Sequence, residues 1–159
     1  DPAGIGGLRD ASQALTRVAR SQAPFASRGD NSGTHQKELS LWETTGIDPT
    51  TWSGQWYRET GSGMGATLNT AVGMRAYTMT DRGTWVGFKN KASHQILVEG
   101  DKNLYNQYGV ILVSPSAHPE VNAEPGQKFI EWILGDDGQR AIAGYRVSGQ
   151  QLFFPNRRK

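Results

Sequence analysis

The feature of this sequence that most restricts its fold is a short apolar run that leads, through a polar loop, directly into a helical pattern. Residues 23–26 read Ala-Pro-Phe-Ala and predict a buried strand. The loop over 27–34 is rich in Ser, Gly, Asp and Asn, which predicts a turn. A helix is predicted over 34–44, with Leu39, Leu41 and Trp42 toward the core. A strand, a loop and a helix in this order form the repeating unit of an α/β fold.

Strands and helices continue to alternate along the rest of the chain. A second glycine-containing loop, over 61–65, leads into a helix over 66–72, and Asp81 is placed to cap the helix that follows it. The other predicted elements are helices over 8–19, 129–133 and 138–145 and strands over 76–80, 96–98 and 110–113. We therefore predict an α/β fold, in which a mixed sheet is flanked by helices and further helices follow at the C terminus. The predicted sheet core includes Phe25, Tyr77, Met79 and 96–98.

The composition excludes several classes of function. Hydrophobic residues make up 36% of the chain, which is enough to bury a core, so a disordered chain is not expected. The 17 Lys and Arg residues nearly balance the 15 Asp and Glu residues, so the net charge of +2 gives no reason to expect nucleic-acid binding. The absence of Cys excludes thiol catalysis, Cys-ligated zinc and disulfide bonds. The spacing of His94 and His118 predicts no metal site, and no cofactor is expected.

The first residues of the chain do not read as an export signal. The sequence opens Asp1-Pro2-Ala3-Gly4, with neither a basic segment nor an apolar one. No run approaches the roughly 20 apolar residues that a membrane span needs. If the protein is exported or lipid-anchored, we expect its signal to lie outside this sequence.

Four residues of the 27–34 loop are candidates for binding an oxyanion: Arg28, Ser32, Gly33 and Thr34. A helix N-terminus carries unpaired N–H groups and about half an elementary positive charge, so it can hold an anion. The two hydroxyl groups add donors, Gly33 allows close approach of the backbone, and the guanidinium of Arg28 matches the geometry of an oxyanion. Asp30 or Ser32 could equally serve as an ordinary helix cap, and the residues alone leave both interpretations open.

The same residues resemble a motif of known proteins. The spacing of five residues resembles that of the anion loop in the phosphate-binding proteins of ABC transporters. These residues are Arg28, Asp30, Ser32, Gly33 and Thr34. The longer segment over 27–42 is more similar to the tungstate-binding branch of the periplasmic binding proteins. Counterparts of other segments of that branch follow in the same order over nearly the whole chain, at 56–57, 61–68, 77–84, 97–101, 108–110 and 151–156.

The resemblance implies a fold of two α/β lobes that clamp the anion between them. The first lobe of that family carries a Thr- and Ser-rich motif, and no Thr-Thr-Thr-Ser sequence occurs here. We therefore expect residues 1–107 to match the second, anion-binding lobe. Residues 108–159 would be the crossover strand and the C-terminal helices that pack on the first lobe. The apolar face of those helices would then lack its partner, and we expect it to form a homodimer with a second copy of the chain.

The resemblance also implies a function. It implies a periplasmic solute-binding protein that captures tungstate, or next molybdate, for an ABC-transporter permease, with phosphate or sulfate as the alternative ligand and no catalytic residue. Oxyanions without a proton suit a site made only of donors, whereas phosphate needs an acceptor. Asp30 is expected to orient Arg28 rather than to accept such a proton. The rival interpretation is an enzyme whose loop binds a phosphorylated substrate, with His35, Glu38 or Asp81 as its base.

Overall fold

The structure, a computed structural model, describes residues 1–157 of the chain and separates into two compact units. The first unit is Asp1–Tyr105, and the second begins at Asn106. No helix in residues 1–157 is long and apolar enough to cross a membrane. All four candidate anion-binding residues lie in the first unit.

The first unit is built on three short parallel strands. Its helices are α1 (Ala11–Ser21), α2 (Gly33–Thr44), α3 (Met64–Met74) and α4 (Arg82–Gly87), with 3₁₀ turns at Pro49–Trp52 and Lys102–Leu104. Its strands are β1 (Phe25–Ser27), β2 (Tyr57–Glu59) and β3 (Tyr77–Thr78), which pair in the order β2–β1–β3. Each strand is followed by a loop and a helix. Because the strands are parallel, all three loops emerge at the same, carboxyl edge of the sheet.

The core lies on both faces of β1, whose three residues are all buried. On one face, Phe25 packs edge-on against Trp42 of α2 at a ring distance of 5.5 Å, and it stacks on Tyr57 of β2 at 5.9 Å. On the other face, Ala26 packs with Ala71 of α3, and both side chains are fully buried. Large aromatic rings therefore fill one face, while small residues let α3 approach the other face closely.

The predicted helices of this unit form close to their expected positions. α1 begins at Ala11 rather than at position 8, because the side chain of Asp10 accepts a backbone N–H of the first turn and caps the helix there. α2 matches its predicted range within one residue. Asp81 caps α4 as predicted, and it accepts the N–H of Thr84 at 2.7 Å.

Two predicted strands do not form, and the sheet is smaller than the sequence predicts. Residues 96–98 are not a strand, although two of the three pack against the core. Residues 110–113 are not a strand either, and Ile111 among them is 89% exposed. Met79 follows β3 rather than belonging to it, although it packs on the same core. A short apolar run shows only a preference for burial, and strand formation also needs a neighbouring strand with free N–H and C=O groups.

The second unit consists of two helices and a short hairpin. α5 (Ala123–Leu134) is followed by α6 (Asp136–Gly144), and β4 (Arg146–Val147) pairs antiparallel with β5 (Gln150–Gln151). Gly138 lets α6 pass close to α5, since a Cβ at this position would lie 2.3 Å from the carbonyl oxygen of Trp132.

The helix α5 presents large apolar side chains to the surface. Phe129 and Trp132 contact each other through their rings and remain about half exposed. Exposed apolar faces of this kind are association surfaces. Pairing of this face with a second copy of the chain stays a prediction.

Candidate anion-binding site

The loop after β1 and the loop after β2 are fixed to each other by hydrogen bonds at the carboxyl edge of the sheet. The N–H of Thr60 donates to the carbonyl oxygen of Ser27 at 2.9 Å. The N–H of Ser62 donates to the carbonyl oxygen of Arg28 at 3.2 Å. The N-termini of α2 and α3 therefore open onto one edge, which is where parallel α/β sheets bind ligands.

Arg28 stands at the end of β1, and Asp30 holds its guanidinium. One terminal nitrogen of Arg28 donates to Oδ2 of Asp30 at 2.5 Å, and Nε donates to the same oxygen at 3.2 Å. The other carboxylate oxygen, Oδ1, accepts the N–H of Ser32 at 3.2 Å. A single carboxylate thus links the guanidinium to the N-terminus of α2. Asp30 orients Arg28 in the way that the sequence predicts.

The same contacts stabilise the negative charge of Asp30. Hydrogen bonds from Ser32 and from Arg28 lower the pKa of this carboxyl to about 2. Asp30 is therefore ionised at neutral pH, and it offsets part of the positive charge of the guanidinium while the outer donors of Arg28 stay available. The side chain of Arg28 is 18% exposed, so it remains accessible from solvent.

Ser32 caps α2, which confirms one of the two interpretations of this residue. Its Oγ accepts the N–H of His35 at 3.3 Å, and its backbone is extended, as at a normal cap. In the cap Oγ of Ser32 serves as an acceptor, and its hydroxyl also hydrogen-bonds to the carboxyl of Asp30, which is the largest cause of the lowered pKa of Asp30. Anion binding by Ser32 would require its hydroxyl to turn from Asp30 to the ligand, and this second role stays a prediction.

Gly33 and Thr34 form the first turn of α2. Their N–H groups have no acceptor inside the helix, because the first four N–H groups of any α-helix lack one. A Cβ added to Gly33 would meet no heavy atom within 4 Å among residues 1–157. Packing inside the chain therefore does not require a glycine here, whereas a ligand that lies against the backbone would.

Gly29 fixes the shape of the loop between Arg28 and Asp30. Its φ angle is +58°, which favours glycine, and a Cβ at this position would lie 2.7 Å from Cβ of Glu59. Glu59 is the last residue of β2, so the absence of a side chain at Gly29 lets the loop lie directly against the neighbouring strand. The position of Arg28 relative to the sheet depends on this contact.

We expect Gly29→Ala to lower the free energy of unfolding by more than the same change at Gly46. Gly46 also has a positive φ, +70°, but a Cβ there would have no neighbour within 4 Å among the described residues. Gly46→Ala should therefore cost only the left-handed backbone term of about 1–2 kcal/mol. Gly29→Ala adds the clash with Glu59. Urea unfolding of both variants measures the difference, and equal losses would show that Glu59 does not crowd this loop.

The loop before α3 is a weaker candidate for anion contact. Gly63 occupies the cap position without a side-chain cap, and Ser62 Oγ donates to the carbonyl oxygen of Thr60 at 3.0 Å. Thr60 and Thr67 are joined through their hydroxyl groups at 2.8 Å. The hydroxyl groups of this loop are therefore engaged in hydrogen bonds that stabilise a turn.

The candidate bases of the enzyme interpretation have other roles in the structure. Asp81 is the cap of α4, and its two oxygens accept from the N–H and the hydroxyl of Thr84. His35 is buried in the first turn of α2, and its Nδ1 accepts the N–H of Asn31 at 3.0 Å. Glu38 is 2% exposed and lies inside the aromatic core.

Sequence analysis did not identify the buried position of Glu38. Its Oε1 accepts from the hydroxyl of Tyr57 at 2.8 Å and from Nε1 of Trp42 at 3.3 Å. Burial raises the pKa of Glu38 to about 7, although both hydrogen bonds act in the opposite direction. The same burial raises the pKa of Tyr57. The available signal was the position of Glu38 four residues before Trp42, which places both on one face of the helix.

The chain matches the family model of the PBP superfamily domain over residues 1–137. This match covers most of the chain, and its α/β architecture agrees with that of the solved members described below. The chain therefore belongs to the PBP superfamily.

Its relatives include tungstate-binding proteins. It is 45% identical over 148 residues to the tungstate-binding protein TupA of Peptoclostridium acidaminophilum, an alignment that covers 92% of this chain and 51% of the relative. The solved tungstate-binding protein TupA from Desulfovibrio alaskensis superposes with a TM-score of 0.83 at 42% identity, covering 99% of this chain and 64% of that one. The crystal structure of the tungstate ABC transporter from Geobacter sulfurreducens superposes with a TM-score of 0.78 at 44% identity, covering 91% of this chain and 60% of that one.

These comparisons confirm the similarity to tungstate-binding proteins that the loop motif predicts. The chain spans about half the length of the curated relatives it matches.

Proposed function

We propose that this chain forms the anion-binding lobe of a solute-binding protein that captures tungstate for uptake by an ABC transporter. The observation that carries the proposal is the loop after β1, where Asp30 holds the guanidinium of Arg28 beside the open N-terminus of α2. The similarity to tungstate-binding proteins supports the choice of ligand. A permease partner and a periplasmic location belong to the same proposal.

In this proposal the donors that face the oxyanion come from four residues, Arg28, Ser32, Gly33 and Thr34. They supply guanidinium, hydroxyl and backbone N–H groups, and such donors strengthen when the acceptor is charged. A helix N-terminus adds attraction for a negative charge without a further cation. A doubly charged, tetrahedral ion can accept from several of these groups together.

The engagement of Asp30 favours ions that carry no proton. Both of its oxygens accept hydrogen bonds already, Oδ2 from Arg28 and Oδ1 from Ser32. Phosphate near neutral pH carries a proton, and burying that proton without an acceptor costs about 1–3 kcal/mol. Tungstate and molybdate carry none. The loop therefore suits tungstate and molybdate and disfavours phosphate, and the similarity to tungstate-binding proteins is what puts tungstate before molybdate.

The enzyme alternative finds less support in the geometry. A base must reach a substrate held by the loop. Asp81 is engaged in its helix cap, and Glu38 is enclosed by Tyr57 and Trp42. A binding protein needs no such base.

Isothermal titration with tungstate, molybdate, sulfate and phosphate tests the proposal. The expected order of affinity is tungstate, then molybdate, then sulfate, with phosphate weakest. Because the curated relatives are about twice as long, a second arm repeats the titration with this chain joined to the amino-terminal half of one relative. Phosphate binding as tight as tungstate binding, or no tungstate binding in either arm, would contradict the proposal.

A further inference from the structure

His35 is a buried polar residue that the proposed anion site does not use. It lies in the first turn of α2 and is 9% exposed. Its Nδ1 accepts the backbone N–H of Asn31 at 3.0 Å. Its Nε2 is buried without a hydrogen-bond partner in residues 1–157. The two nitrogens of one ring thus differ sharply in their surroundings.

The contact made by Nδ1 lies at the centre of the anion loop. Asn31 is the residue between Asp30, which holds Arg28, and Ser32, which caps α2. Its φ angle is +60°, a left-handed conformation that Asn adopts more readily than most other residues and that surrounding contacts stabilise further. The bond from the Asn31 N–H to His35 supplies such a contact from the helix itself.

We propose that His35 is a positioning residue of the anion loop, which acts through the lone pair of Nδ1 on Asn31 rather than by contact with the anion. This inference rests on the proposed function for its effect on binding. The contact requires a neutral imidazole with its proton on Nε2, because a protonated Nδ1 cannot accept the Asn31 N–H. Loss of the contact leaves Asn31 tied to α2 only through its side chain, which accepts from Gln36, and loosens the backbone that connects Arg28 to the first turn of α2.

Two substitutions separate the roles of the two nitrogens. The side-chain oxygen of His35→Asn lies near the position of Nδ1 and can accept the Asn31 N–H. The longer side chain of His35→Gln places its polar group near the position of Nε2. We expect the tungstate Kd of His35→Asn to stay within about threefold of the wild-type value, and that of His35→Gln to rise about tenfold. A tenfold change is near the upper end of the net contribution of one hydrogen bond. Circular dichroism melts confirm that both variants are folded during titration.

The reverse order of affinities would overturn the proposal, because it would show that Nε2 contacts the anion. Equal losses in the two variants would also overturn it, because they would show that only the volume of the ring matters.

A second readout does not depend on tungstate. The ¹⁵N chemical shifts of the His35 ring should show the proton on Nε2. Hydrogen exchange of the backbone amide of Asn31 should be slow in the wild type and in His35→Asn but faster in His35→Gln. A proton on Nδ1, or an Asn31 amide that exchanges equally fast in all three proteins, would contradict the inference. If the wild type does not bind tungstate, the proposed function fails, while these measurements still decide the role of His35.

Discussion

Replacing Glu38 with Gln is expected to raise the free energy of unfolding by about 3 kcal/mol at about pH 8. It should also remove most of the pH dependence of stability above the ordinary pKa of 4.5. Burial raises the pKa of this carboxyl from 4.5 to about 7 in the folded protein. Between these values the folded chain holds a proton that the unfolded chain has released. The contribution of Glu38 to stability is therefore fully present below pH 4.5 and is lost as the pH rises through about 7.

The Gln side chain suits this site because it keeps the hydrogen bonds and removes the charge. Its carbonyl oxygen can accept from the hydroxyl of Tyr57 and from Nε1 of Trp42, as Oε1 of Glu38 does. Glu43→Gln is the matched control, since Glu43 lies on the same helix with an exposed side chain. Urea unfolding at several pH values between about 4 and 8 gives the three profiles to compare.

We expect the wild type and Glu43→Gln to lose stability together as the pH rises toward 7, while Glu38→Gln stays nearly level. Parallel profiles for all three proteins would show that the carboxyl of Glu38 is solvated and that its pKa is not raised.

Features that depend on contacts within a few residues could be predicted from the sequence. The strand, loop and helix around the candidate site form as expected, because the cap at Ser32 and the pairing of Arg28 with Asp30 involve neighbours along the chain. The cap at Asp81 is local in the same way. The motif around these residues also predicted the similarity to tungstate-binding proteins.

Features that depend on distant partners could not be predicted in this way. Residues 96–98 and 110–113 are apolar, but neither segment pairs with a strand among residues 1–157. The burial of Glu38 depends on Tyr57, which lies 19 residues further along the chain. A single Glu on a helix is usually solvated, and only the packed structure shows that this one lies in the core.

Replacing Arg28 with Ala is expected to weaken tungstate binding by about 1.5–3 kcal/mol, which corresponds to roughly 10- to 150-fold in Kd. This is the range for a hydrogen bond to a charged group. Without anion the variant should melt close to the wild type, because Arg28 and Asp30 are partly exposed and their ion pair contributes little. Oδ1 of Asp30 keeps its bond to the N–H of Ser32 in either protein.

Ser32→Ala is the matched comparison within the same loop. Loss of the cap on α2 should lower the free energy of unfolding by about 0.5–2 kcal/mol, with or without anion. The two variants therefore separate a residue that acts mainly on the ligand from one that acts at least partly on the helix.

The most direct test of the anion-loop assignment is a pair of melting curves for Arg28→Ala, recorded with and without saturating tungstate beside those of the wild type. We predict that the variant has the Tm of the wild type without anion and loses most of the increase in Tm that tungstate gives the wild type. If Arg28→Ala instead melts earlier without anion and keeps the full increase, Arg28 is a structural residue and the loop after β1 is not the anion site.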